Sequence, residues 1–363
     1  MSTVRVAVYV MGGDHRPTAP VAGAVAALAS DPELEVLLVG PAETVAAALA
    51  EARPAARRAS RLRVVPAPEV VEPGESPVDA VRSKRGSSIV VGLDLCRRGE
   101  ADAFVSAGNT GALTAGSVLL WHRIAGVDRP AMPAVLPTVD GRGLVFLDVG
   151  AGTDATPTNL CDFAVMGSLY AERARGIGHP RVALLNVGTE EQKGTGVAKE
   201  AFARLQAAPV RFVGNVEGRD LFSDRADVVV TNGFVGNVVL KTIEGLGIGL
   251  SQVLGRELRH SGFWTLLGAA LAARTLRRVR RRLDYSEVGG VPFLGVRGVC
   301  VKCHGSSNAK ALANGILSAA AVARGGVVAE IERALGALAP GSAAPARGPS
   351  LAGGATEGAT AGA

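Results

Sequence analysis

Aromatic residues make up only 4% of the 363-residue chain, so small and branched aliphatic side chains must fill its core. Such side chains allow helices to pack closely on a sheet, which is typical of α/β proteins. Cysteine is also scarce, and the spacing of Cys96, Cys161, Cys300 and Cys303 forms no disulfide framework. This excludes a small disulfide-stapled fold and favours a reducing compartment.

The sequence lacks the long apolar runs that would place it across a membrane. Residues 4–10 read directly as a strand and have no signal-peptide character. No run reaches the roughly 18 consecutive apolar residues that indicate a membrane-spanning helix. No internal repeat is apparent, which excludes a solenoid. We therefore predict a cytoplasmic protein without a membrane span.

Positive charge is concentrated in one part of the chain. Residues 256–287 contain eight basic and three acidic residues, which account for most of the net charge of +6. The remainder is nearly neutral, and no nucleic-acid-binding motif accompanies the basic run. We predict no nucleic-acid partner and treat 256–287 as a basic amphipathic element.

Strand-like and helix-like runs alternate along most of the sequence. The strand-like runs are 4–10, 35–39, 62–65, 103–106, 143–149, 182–187, 210–214 and 228–231. The helix-like runs are 19–29, 41–52, 87–98, 111–121, 160–173 and 197–206. This alternation predicts an α/β/α sandwich with a largely parallel sheet. Residues 1–337 are predicted to form this domain, and residues 338–363 a disordered tail.

Five short segments rich in Gly, Asn, Asp and Ser each follow an apolar run. They are Met-Gly-Gly-Asp-His at 11–15, Ser-Ala-Gly-Asn-Thr-Gly at 106–111, Asp-Val-Gly-Ala-Gly at 148–152, Asn-Gly-Phe-Val-Gly-Asn at 232–237 and His-Gly-Ser-Ser-Asn at 304–308. A strand that ends in glycine before a helix leaves backbone N–H groups that can hold phosphate. Taken singly, each is most often only a turn, but together they predict one anion-binding cleft.

In this order the segments resemble the PlsX family, the phosphate acyltransferases of bacterial phospholipid synthesis. The resemblance covers about residues 4–330 and includes Asp-Arg-Pro-Ala at 128–131, Leu-Pro-Thr at 136–138, Leu-Asn-Val-Gly-Thr-Glu at 185–190, Lys-Gly at 193–194 and Gly-Asn-Val-Glu-Gly-Arg-Asp at 214–220. It implies a homodimer similar in fold to isocitrate or isopropylmalate dehydrogenase and to phosphotransacetylase, with no cofactor. The implied reaction moves a fatty acyl group from acyl carrier protein to inorganic phosphate.

By the same resemblance, Lys193 and Asn237 are the predicted catalytic residues. The predicted phosphate- and substrate-binding residues are Gly12, Gly13, Asp14, Ser106, Gly108, Asn109, Thr110, His304, Gly305, Ser306, Ser307 and Asn308. Attack of phosphate on a thioester requires a held nucleophile, donors for the developing oxyanion and alignment of both reactants. Judged alone, Lys193 fits a solvated surface lysine and His304 a structural histidine, and we assign His304 no proton transfer.

Cys-Val-Lys-Cys-His at 300–304 matches the signature of covalent haem attachment. Haem attachment requires export, for which the sequence gives no signal, and the motif ends the apolar run 296–301. A zinc site would need a second ligand pair at suitable spacing. We therefore predict neither haem nor metal.

The basic element also contains aromatic and aliphatic residues. The residues predicted to contact a membrane or a carrier are Phe263, Trp264, Leu267, Arg277, Arg278 and Arg281. Aromatic residues beside a cationic run suit the interface of an anionic bilayer, where the resemblance implies delivery of acyl phosphate to a membrane acyltransferase. Docking of the acidic acyl carrier protein and a dimer-interface helix with a solvated basic edge are the alternatives.

Three positions depart from the family pattern. Tyr9 stands where the family has Asp, Gly152 where it has Asn, and Asn232 where it has Asp. Loss of carboxylates makes a cleft more positive, or removes a group that orients Lys193 or carries a proton. The alternative hypothesis is therefore a degenerate or specialised relative that scaffolds lipid-synthesis proteins or uses another acyl donor.

Overall fold

The computed structural model describes residues 3–338, except 73, 266, 269–270 and 276–288. Three of the basic residues singled out in the sequence, Arg277, Arg278 and Arg281, lie outside the described residues. The predicted tail lies outside them from residue 339 onward.

The strands form two sheets. The first contains β1 (Val4–Tyr9), β2 (Leu34–Gly40), β3 (Leu62–Pro66), β4 (Ala103–Ser106), β10 (Val291–Pro292) and β11 (Cys300–Lys302), in the spatial order β10–β11–β4–β1–β2–β3. The second contains β5 (Ala134–Leu136), β6 (Leu144–Leu147), β7 (Arg181–Leu185), β8 (Arg211–Val216) and β9 (Val228–Val230), in the order β5–β6–β9–β7–β8. Among the strand pairs that the structure describes, the edge pairs β10–β11 and β5–β6 are antiparallel and the others are parallel.

Helices connect the parallel strands. They are α1 (Thr18–Ser30), α2 (Ala42–Ala52), α3 (Ala56–Ala59), α4 (Pro77–Ser83), α5 (Ser88–Arg97), α6 (Thr110–Trp121), α7 (Pro157–Arg175), α8 (Gly196–Gln206), α9 (Gly233–Arg259), α10 (Ala309–Arg324) and α11 (Val327–Leu338), with a 3₁₀ turn at Gly218–Phe222. Several begin at a polar residue whose side chain accepts a first-turn N–H, among them α6, α9 and α10 at Asn109, Asn232 and Asn308.

The two sheets share their hydrophobic core. Val8 of the first sheet and Leu147 of the second lie in one buried cluster, and Phe104 and Phe146 lie in another. Both faces of each sheet are therefore covered, as apolar strands between helices require. The α/β class is confirmed, with two mostly parallel sheets where the sequence suggested one.

Helix α9 differs from the other long helices because most of its surface is exposed. Gly233 and Gly236 are buried in its first turns, whereas Leu246, Leu250 and Leu254 are 66%, 59% and 48% exposed. Its most apolar window has a mean hydropathy of 1.3, so by length and composition alone α9 is able to cross a membrane. The same length and composition fit a helix that a second protein chain covers.

Candidate active site

The turns that follow β1, β4 and β11 touch one another through glycine backbone. A Cβ on Gly12 would lie 2.7 Å from the backbone N of Gly108, and one on Gly13 would lie 2.7 Å from the Gly305 carbonyl oxygen. Gly13 also has a φ of +84°, which glycine adopts without strain. The N–H of Asp14 donates to the same Gly305 carbonyl at 2.8 Å. Three of the five predicted turns therefore meet at the carboxyl edge of the first sheet.

Several N–H groups of these turns are already engaged. The N–H of Gly108 donates to Ser106 Oγ at 3.0 Å. The N–H of Ser306 donates to His304 Nδ1 at 3.2 Å, and that of Ser307 to the His304 carbonyl at 3.0 Å. The sequence analysis expected these N–H groups to hold phosphate. In the structure they stabilise the loops instead, so they do not point to a ligand.

Two helix N-termini supply donors at the same edge. Asn109 Oδ1 accepts the N–H of Ala112 at 3.1 Å, and Asn308 Oδ1 accepts the N–H of Ala311 at 3.0 Å. An α-helix has four N-terminal N–H groups without intrahelical partners, and its N-terminus carries partial positive charge. The starts of α6 and α10 therefore favour an anion between them.

The loop after β6 is organised by the buried carboxylate of Asp148, which is 1% exposed. Its Oδ1 accepts the N–H groups of Met132, Gly150 and Ala151 at 2.9, 3.1 and 3.0 Å. Its Oδ2 accepts the N–H of Gly152 at 3.0 Å. Four backbone donors thus fix the course of residues 148–152.

Helix α9 begins directly against this loop. A Cβ on Gly233 would lie 1.9 Å from the Gly152 carbonyl oxygen, and one on Gly236 would lie 1.9 Å from that of Asp148. This contact places Asn237 beside Gly150, with its Nδ2 3.6 Å from the position that a Gly150 Cβ would take. The contact between the turns after β6 and β9 therefore fixes the position of the Asn237 side-chain amide.

All five turns contribute to a single cleft of about 990 Å³. The predicted residues that line it are Gly13, Asp14, Gly108, Asn109, Thr110, Asn237, His304, Gly305, Ser306, Ser307 and Asn308. Gly12 and Ser106 lie behind the lining, since Gly12 packs on Gly108 and Ser106 Oγ accepts its N–H. The structure thus brings these residues together, and their roles remain predictions.

Lys193 does not line this cleft. It lies in the loop after β7, where its side chain is exposed and its alkyl stem covers Gly188. Asn186 Nδ2 donates to its carbonyl at 3.0 Å, so the loop itself is braced. The expectation that the Lys193 ammonium reaches the pocket is not met in this chain, and its catalytic role rests on the resemblance alone.

The cleft contains a lysine that the sequence analysis did not select. Lys302 is the last residue of β11, two positions before His304, and it lines the cleft. The sequence marks Lys302 as a candidate, because it follows an apolar run and comes directly before a glycine-rich turn, but only strand pairing shows that it faces the cleft. Lys302 is also the central residue of Cys-Val-Lys-Cys-His at 300–304.

The cysteines of that motif are side chains of the sheet. Cys300 and Cys303 are both fully buried, and Cys303 Sγ donates to the Gly289 carbonyl at 3.1 Å. Burial raises the pKa of both thiols to about 12, so they stay protonated. Their role in this structure is packing.

The three departures from the family pattern have separate structural consequences. Tyr9 is 2% exposed, its ring packs on Gly12 and Gly108, and burial raises its pKa to about 12, so it is a neutral wall of the cleft. Gly152 donates to Asp148 from within the loop. Asn232 Oδ1 accepts the N–H of Val235 at 2.9 Å and so caps α9, as an aspartate would.

The architecture is that of a phosphotransacetylase. The phosphotransacetylase of Streptococcus pyogenes superposes with a TM-score of 0.58 over 88% of this chain and 94% of that one, at 16% identity. EutD phosphotransacetylase from Staphylococcus aureus gives 0.53 over the same shares, at 14% identity. At these identities the likeness establishes the fold and nothing more.

Sequence comparison defines the family within that fold. Residues 4–330 match a family described as fatty acid synthesis protein. A phosphate acyltransferase from Heliobacterium modesticaldum is 50% identical over 342 residues, 94% of this chain and 99% of that protein. One from Myxococcus xanthus is 47% identical over 335 residues, 92% and 94% of the two chains. The chain belongs to the PlsX family of phosphate acyltransferases, and the predicted family and enzyme class are confirmed.

Proposed function

We propose that this chain transfers a fatty acyl group from the thioester of acyl carrier protein to inorganic phosphate, for phospholipid synthesis. The observation that carries the proposal is the convergence of all five glycine-rich turns on one cleft, in a chain of this family. The starts of α6 and α10 provide positive potential for phosphate at one wall. Asn237 provides an amide donor at the other.

The proposed reaction is a direct attack of phosphate on the thioester and uses no cofactor. One phosphate oxygen forms a bond to the thioester carbonyl carbon, and the C–S bond breaks. The carrier thiolate leaves with the electron pair and takes a proton from solvent, which gives acyl phosphate and free carrier thiol. Negative charge develops on the carbonyl oxygen, so a donor such as Asn237 Nδ2 stabilises the transition state.

Apolar side chains on the same cleft suit the acyl chain. Met132, Val149 and Leu240 line it, and the Tyr9 ring completes this wall. Burial of methylene groups against such residues is favourable by about 0.8 kcal/mol for each CH₂. A donor with a long acyl chain therefore fits this cleft better than an acetyl donor does.

Asn237→Ala is expected to lower phosphate-dependent release of carrier thiol by about 100-fold, the effect of removing one oxyanion donor. The assay mixes long-chain acyl carrier protein with phosphate and follows free thiol. No phosphate-dependent release by the unmodified protein would favour the scaffolding alternative, and release only from acetyl-CoA would favour another donor.

The same assay tests Lys193→Ala. The resemblance predicts a strong loss of thiol release, and release at the wild-type rate would show that Lys193 is not catalytic.

The exposed apolar face of α9 and the segment after it are proposed contact surfaces. We infer that Leu246, Leu250 and Leu254 pack against a second copy of this chain, since they lie on one face of a long exposed helix. Phe263 and Trp264 are 70% and 80% exposed and stack edge to face. With the following basic run they suit the surface of an anionic membrane, where a membrane acyltransferase would accept the product.

Trp264 gives a direct test of membrane contact, because the other tryptophan, Trp121, is 4% exposed and donates to the Leu93 carbonyl. Vesicles that contain anionic lipid are expected to shift the fluorescence to shorter wavelength, and neutral vesicles are not. Trp264→Ala is expected to remove the shift and to weaken sedimentation with vesicles roughly tenfold. An unchanged spectrum, or sedimentation equal to that of the unmodified chain, would contradict membrane contact at this residue.

A further inference from the structure

Three polar side chains form a row across the first sheet at the edge of the cleft. β11 pairs with β4 in parallel, with Lys302 opposite Ser106. β1 pairs with the other side of β4, where Val8 lies opposite Val105, so Tyr9 stands beside Ser106. Side chains alternate between faces along a strand. Tyr9, Ser106 and Lys302 therefore share one face, directly under the glycine turns.

The Lys302 ammonium contacts a backbone carbonyl instead of a carboxylate in the part of the chain that the structure describes. Its Nζ donates to the carbonyl of Cys303, and no carboxylate among the described residues lies within ion-pair distance. An ammonium has three donors, so two remain. Burial lowers the pKa of Lys302, and the neighbouring ammonium of Lys241 lowers it further. A partly buried cation without a partner is unfavourable, and an anion in the cleft removes that penalty.

The other cations of the cleft are already paired. Arg16 lies 3.7 Å from a Glu72 carboxylate oxygen, and Lys241 Nζ lies 2.7 Å from Glu244 Oε2. Both residues are exposed apart from these contacts. Lys302 instead ends β11 directly before the 304–308 turn, which is tied to the start of the 106–111 turn because the N–H of Cys303 donates to the Ser106 carbonyl at 2.9 Å.

We propose that Lys302 is the cation that holds the acceptor phosphate in the cleft. Lys302 precedes the turn into α10 and lies opposite Ser106, which precedes the turn into α6, so its charge and the partial charges of both helix starts act on one anion. Tyr9 closes the row as a neutral phenol, so the row of Tyr9, Ser106 and Lys302 itself carries no negative charge. This inference rests on the proposed function, because it assigns the phosphate site of that reaction.

The test uses Lys302→Gln, Lys302→Arg and the matched control Lys199→Gln, an exposed lysine of α8. Binding of inorganic phosphate to the full chain is measured by calorimetry, and the KM values for phosphate and acyl carrier protein by thiol release. Lys302→Gln is expected to weaken phosphate binding and to raise the phosphate KM by roughly tenfold or more, as for loss of a hydrogen bond to a charged group. Lys302→Arg is expected to restore part of the affinity, and Lys199→Gln to change neither value.

The outcomes separate this inference from the proposed function. Unchanged phosphate affinity and KM in a folded Lys302→Gln protein, or a rise confined to the carrier KM, would overturn the assignment. If that variant does not fold, Lys302→Met keeps the length of the stem without the charge and takes its place. Phosphate binding that depends on Lys302 in a protein without acyl transfer would refute the proposed function and leave the anion site standing.

Discussion

Gly236→Ala is expected to abolish acyl transfer and to lower the free energy of unfolding by about 3 kcal/mol, as for overpacking against a rigid neighbour. The new Cβ would lie 1.9 Å from the Asp148 carbonyl oxygen, which is backbone and has no rotamer to escape into. Helix α9 would have to move away from the 148–152 loop, and Asn237 would leave its place beside Gly150. Urea unfolding and thiol release measure the two effects.

Gly196→Ala is the matched control, because a Cβ on Gly196 at the start of α8 would meet nothing within 4 Å. We expect its stability to stay within about 0.5 kcal/mol of the unmodified chain. Wild-type stability and turnover of Gly236→Ala would show that α9 does not depend on this close approach, and the geometry proposed for Asn237 would then be wrong.

Much of the first sheet follows from local sequence. β1 and β4 are apolar runs buried on both faces, and periodicity identifies such runs directly. β10 and β11 have two and three residues, too few to show any period, and they are strands because β11 pairs with the edge of β4 and β10 pairs with β11. Whether the strands form one sheet or two depends on which strands pair, and the sequence of a single strand does not specify its partner.

The sequence analysis did not predict helix α9, and the reason is its glycine content. Residues 233–259 contain Gly233, Gly236, Gly245, Gly247, Gly249 and Gly255. Each interior glycine disfavours a helix by about 1 kcal/mol relative to alanine. Gly233 and Gly236 are needed where the helix meets the loop, and that requirement is visible only in the packed structure.

The loops of the candidate site were predictable from sequence, but the cation that faces the cleft was not. Glycine-rich turns after parallel strands gather at one edge of a sheet, so residues 11–15, 106–111 and 304–308 meet as expected. Which cation faces the cleft depends on strand register. Lys302 stands opposite Ser106 in the pairing of β11 with β4, whereas Lys193 follows β7 in an exposed loop. A single sequence gives neither relation.

Asp148→Ala is expected to lower the free energy of unfolding by about 4 kcal/mol and to remove acyl transfer, because it deprives four backbone N–H groups of their acceptor. These donors lie in and beside the loop that supports Asn237, so the cleft wall should loosen even in molecules that remain folded. Urea unfolding gives the stability, and hydrogen exchange at residues 150–152 reports the loop separately.

Asp148→Asn separates the shape of this side chain from its charge. Its amide oxygen is able to accept from Met132, Gly150 and Ala151, but its NH₂ group would face the N–H of Gly152, so we expect a smaller loss of about 1–2 kcal/mol. Asp154→Asn, an exposed carboxylate of the same connection, is the control and should change little. Equal stability of Asp148→Ala and the unmodified chain would mean that water replaces the carboxylate. The packing of α9 on the loop would then be what holds the second wall of the cleft in place.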